Sequence, residues 1–82
     1  MTASKSTGSV LGTALAMNLQ RLMEAQGMSR EGLARESGRP LTSVDHALTG
    51  ESEKVTMADL EGFAAALGVR PMDLVRMGSE EV

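Results

Sequence analysis

The chain has 82 residues, enough for one domain, and a domain of that size buries only about 60–65% of the surface its unfolded chain exposes. It contains no cysteine, which excludes disulfides, thiolate zinc sites and cysteine nucleophiles together, and leaves packing to hold the fold in what we expect to be a reducing, cytoplasmic setting. The formal net charge of −3 argues against a polyanionic partner unless the charge is unevenly placed.

Met1 to Ser9 is small, polar and without periodicity, and reads as a disordered tail (1–9). It leads into no signal-peptide core, and no apolar run approaches the roughly 20 residues of a membrane helix, so a soluble cytoplasmic protein with no membrane partner is expected. The domain proper is expected over residues 10–78, with an acidic tail at 79–82. A first helix is predicted from Leu11 to Gln26, where Leu15, Leu19, Leu22 and Met23 share one face and Gly27 supplies the stop. Ser29 is the predicted N-cap of a short second helix, which carries Gly32 in its interior at a cost of up to about 1 kcal/mol. Gly38 then makes a tight turn. A third helix is predicted to start near Pro40 or Leu41 and to run through Val44 and Ala47 to Gly50. Glu51 to Val55 reads as a solvated loop. Thr56 caps a fourth helix with Asp59 in a capping-box-like position; Leu60, Phe63, Ala64 and Leu67 form its buried stripe, and Gly68 closes it. Pro71 opens a fifth helix through Met77. No strand and no repeat is predicted, so the fold class is all-α with five short helices.

Two short helices joined by a glycine turn suit helix-turn-helix geometry, the pair being helices two and three. Leu33, Ala34, Val44 and Ala47 are then expected inside, which leaves Leu41, Thr42, Asp45, His46 and Thr49 on the outer face of the third helix. The run Asn18-Leu19-Gln20-Arg21-Leu22, the stretch from Gly27 to Ala34, then Ser37-Gly38, Val44, Ala47, Gly50 and Ala64 to Val69 resembles the lambda-repressor-like (Cro/C1-type) helix-turn-helix proteins over about residues 11–77. The resemblance implies a five-helix DNA-binding domain with its third helix in the major groove, acting as a dimer on a two-fold symmetric operator. The sequence departs from the family pattern in four respects. Arg39 replaces an apolar residue after the turn glycine, and Pro40 replaces a capping Ser or Thr. Met23 and Leu48 stand where many members carry an Arg–Glu pair, and the recognition helix lacks its usual glutamines.

Under that resemblance, Leu41, Thr42, Asp45 and His46 are the candidate base contacts. The Thr42 hydroxyl meets donors or acceptors and its methyl meets a thymine methyl. Leu41 is either a thymine-methyl contact or a contact within the protein. Asp45 either accepts from cytosine N4 or pairs with a nearby arginine, Arg39 being one option. His46 is either a guanine or phosphate donor or a solvated side chain. Ser29 and Arg30, at a helix start, are candidate phosphate contacts; Ser43, Ser52 and Lys54 are weaker ones. Met72, Val75 and Met77 either complete the core or form a dimer patch.

Charge is graded along the chain. Residues 55–82 carry Arg70 and Arg76 against Asp59, Glu61, Asp73, Glu80 and Glu81, so the last third holds the excess acid and a DNA-facing surface elsewhere is free to be locally positive. One histidine, no cysteine and no clustered carboxylates argue against an enzyme, and no cofactor is expected. Two functions remain: a DNA-binding regulator that pairs as a homodimer on double-stranded DNA, or a protein-interaction module such as a one-domain antitoxin facing a toxin. A helix-turn-helix protein that has lost DNA binding belongs to the second class.

Overall fold

A computed structural model describes residues 2–76, with residues 2–11 described by their backbone alone. Among the described residues there are five α-helices and no strand: α1 (Thr2–Ala25), α2 (Arg30–Ser37), α3 (Leu41–Leu48), α4 (Met57–Leu67) and α5 (Pro71–Val75), with a single 3-10 turn at Ser52–Lys54. The all-α expectation holds, and the loop expected at 51–55 contains that turn.

α1 begins at Thr2, not at Leu11, so residues 2–9 of the segment expected to be disordered lie within its backbone, and Met1 lies outside the described residues. The segment holds no proline; Gly8 and its Ser and Thr residues are weak helix formers, but none of them forbids a helix. Once the packed part of a helix is nucleated, adding each further residue no longer carries the cost of nucleation. The expected acidic tail at 79–82 lies outside the described residues.

The core forms where helical spacing places apolar residues on facing sides. Leu15, Leu19 and Met23 come from α1, Leu33 from α2, Val44 and Ala47 from α3, Phe63, Ala64 and Leu67 from α4, and Leu74 from α5; all are buried. Leu22, Ala34 and Leu60, expected on buried faces, are only partly buried and pack around this centre. α1 lies against α3 and α5, α2 against α3 and α4, and α4 against α5.

Two junctions set these positions. Gly12 of α1 sits on Gly50, the glycine after α3: a Cβ at Gly12 would lie 2.0 Å from the Gly50 carbonyl oxygen. Asn18, buried in α1, donates from Nδ2 to the carbonyls of Leu74 and Arg76, both at 2.9 Å. These are carbonyls at the end of α5, which its own helix leaves unpaired. The ion pair that the resemblance implies between the first and third helices is absent here; Met23 is a core residue and Leu48 packs against that core.

Candidate nucleic-acid interface

α2 starts where Ser29, in extended conformation, accepts from the Gly32 N–H at 3.0 Å. It ends at Gly38, whose φ of 72° a residue with a side chain rarely adopts. The Gly38 N–H donates back to Ala34 and Arg35, which closes the turn. α3 then starts from Pro40, whose ψ of 147° makes it the N-cap rather than the first helical residue. Proline supplies no capping side chain, and the start of α3 carries no side-chain hydrogen bond.

The residue before it anchors the turn in another way. Arg39 donates from Nε to Asp59 Oδ1 at 2.7 Å, across from α4. Its stem crosses Gly62, where a Cβ would approach Arg39 Cγ to 3.0 Å. Asp59 is 2% exposed and is satisfied on both oxygens, its Oδ2 accepting from the Thr56 N–H at 3.0 Å. The Thr56 hydroxyl accepts in turn from the Asp59 N–H, completing a capping box. Burial pushes the Asp59 carboxyl up, but the Thr56 N–H, the Arg39 hydrogen bond, the Thr56 hydroxyl and the Arg39 charge outweigh it and hold the group below its ordinary value. Arg39 therefore ties the α2–α3 turn to the start of α4. The sequence marked Asp59 only as a cap; its second partner depends on a contact 20 residues away.

Val44 and Ala47 turn α3's inner face into the core, while Thr42 is exposed and Leu41, Ser43, Asp45 and His46 are partly exposed. Asp45 is paired with Arg30, not with Arg39: Arg30 Nη1 donates to Asp45 Oδ1 across the gap between α2 and α3. Arg30 also lies 3.4 Å from Glu31. The Asp45 hydrogen bond, its charge and the charge of Glu31 raise the guanidinium above its ordinary value. The structure thus brings together one expected phosphate contact and one expected base contact. The carboxylate that argued most strongly against DNA binding stands beside a cation. Ser29 lies next to this pair in the chain, whereas Ser52 and Lys54 lie in the 3-10 turn after α3, where Lys54 Nζ is 3.4 Å from Glu51.

Met72 of the expected dimer patch is 63% exposed, Val75 is partly buried, and Met77 lies outside the described residues. Met72 and Val75 line a groove with Pro71, Arg70 and, from α4, Met57 and Leu60. Met57, which the sequence did not single out, is 65% exposed at the start of α4. Among the described residues no group of His, Asp and Glu is placed to hold a metal ion, and no helix is long and apolar enough to cross a membrane.

A model of the family described as the Cro/C1-type HTH DNA-binding domain matches residues 18–78, from the middle of α1 past the end of α5. No curated protein and no solved structure matches the chain.

Proposed function

Because the chain belongs to the Cro/C1-type helix-turn-helix DNA-binding domain family, we propose that it is a sequence-specific transcriptional regulator of the phage-repressor type, acting as a homodimer on a two-fold symmetric operator. α3 lies in the major groove. Leu41, Thr42, Asp45 and His46 face base edges, and Ser29, Arg30, Ser43, Ser52 and Lys54 face the backbone. Met72 and Val75 meet their copies in a second protomer, joined by Met57. The observation that carries this reading is the outward face of α3. It is open to solvent, fixed from beneath by Val44 and Ala47, and tied at its start through Arg39 to the buried Asp59.

Selection of bound sequences from random duplex DNA, repeated at several salt concentrations, tests the reading. The expected result is one enriched palindrome whose binding weakens as salt rises. Recovery of unselected sequence at every salt concentration would overturn it. The protein-interaction reading, with a toxin or another protein on the α4–α5 groove, then takes its place, favoured by the net charge of −3.

A further inference from the structure

Asp45 is the one acidic side chain on the outer face of α3, and it is not free: Oδ1 accepts from Arg30, and no side chain among the described residues donates to Oδ2. Both partners remain about half exposed, at 48% for Arg30 and 40% for Asp45. A guanidinium has five N–H donors, and this one gives one to Asp45 and a longer one to Glu31, so further donors point to solvent. We propose that the Arg30–Asp45 pair is a specificity element that selects cytosine at one symmetric pair of operator positions: Asp45 Oδ2 accepts from cytosine N4 while Arg30 keeps Oδ1 and gives its remaining donors to the adjacent phosphate. This rests on α3 being the recognition helix, as proposed above.

The chemistry of the groove decides for cytosine. An ionised carboxylate only accepts hydrogen bonds. Guanine presents two acceptors in the major groove, N7 and O6, and thymine presents O4 beside a methyl. Both repel an acceptor. Adenine offers its N6 amino group, but N7 lies beside it and repels the second carboxylate oxygen. Cytosine offers N4 with only a C–H next to it. A lone carboxylate near the phosphates would still oppose binding to any sequence, and Arg30 offsets that penalty by holding a cation against Asp45. Arg30 is thus a positioning residue for Asp45 as well as a backbone contact. Its place at the start of α2, 15 residues before Asp45, puts the cation there without a basic side chain on α3 itself.

The test is selection from random duplex DNA with the full-length protein, followed by competition between duplexes that differ at the one symmetric position. Wild type is expected to prefer cytosine there by about tenfold, within the range of a good base contact. Asp45→Asn is expected to move the preference to adenine, because an amide offers both an acceptor for N6 and a donor for N7. Asp45→Ala is expected to abolish preference at that position and leave the rest of the palindrome intact. Arg30→Ala should weaken binding to all duplexes, since it exposes an unpaired carboxylate to phosphate. Adding Asp45→Asn to Arg30→Ala should recover part of that loss, a rescue that a purely structural Arg30 would not give. If wild type selects a palindrome and neither Asp45 variant changes any position of it, the inference fails while the regulator reading stands. If wild type selects nothing, both fail.

Discussion

At the scale of single residues, the tightest constraint is Gly12. A helix interior ordinarily gains about 1 kcal/mol when alanine replaces glycine. Here the new Cβ would fall 2.0 Å from a backbone carbonyl, which cannot rotate aside as a side chain would. Gly12→Ala is therefore expected to destabilise, by about 1–3 kcal/mol as in other overpacked contacts, with a matching drop in urea midpoint. A variant as stable as the parent would show that α1 does not rest on Gly50. Asp59 makes a second residue-scale prediction, through pH. Its carboxyl titrates below its ordinary 3.8 in the folded chain, so between those two values the unfolded chain binds more protons. The stability this group contributes is complete above that ordinary value and is lost as pH falls through the folded one. Asp59→Asn is expected to lower stability at neutral pH and to flatten the acid limb of the stability curve. An acid limb identical to the parent's would place the acid sensitivity in other carboxylates.

At the scale of helices, local signals were strong wherever backbone chemistry is local. Ser29, Gly38, Thr56 and Gly68 mark starts and stops because each satisfies or ends hydrogen bonding within a few residues. Most of the buried residues followed from spacing, with Leu22, Ala34 and Leu60 only partly buried, and Phe63 is fully buried at their centre. Phe63→Ala is expected to cost about 3–5 kcal/mol, enough to unfold much of a domain this small, which calorimetry would show as a large loss of melting temperature. A variant that melts with the parent would move the core elsewhere. What the sequence withheld was pairing between helices. Nothing local tells Asp45 to choose Arg30 over Arg39, because both lie within reach in chain order and only the fold decides which guanidinium faces it. The double role of Asn18 was hidden for the same reason: its acceptors lie 56 and 58 residues away. The start of α1 was misplaced because a run of small polar residues reads as disorder, yet it carries nothing that forbids a helix.

At the scale of the whole molecule, the acid excess bears on the proposed dimer. Arg30 and Lys54 are the only cations among the proposed backbone contacts, and each already stands near a carboxylate. Two such contacts per protomer make four per dimer. At about −0.9 per phosphate neutralised, the logarithm of affinity should fall against the logarithm of salt with a slope of at most about −4 for a dimer and about −2 for a monomer. Either figure is small, so in the proposed reading affinity comes from doubling the base-reading surface, which for one domain is only roughly 600–1,000 Å². The α4–α5 groove is where that doubling is proposed. A charge at Met72, exposed at its edge, would be desolvated on pairing but cost nothing in the free protomer. Met72→Glu is therefore expected to leave thermal stability near that of the parent and to shift sedimentation on the selected palindrome from two protomers towards one. The salt slope should fall by about half with it. If the variant still loads two protomers with an unchanged slope, the pairing surface lies away from this groove. A parent that sediments as one protomer both free and on saturating palindrome would remove the dimer from the proposal and leave a single recognition helix to supply all of the specificity.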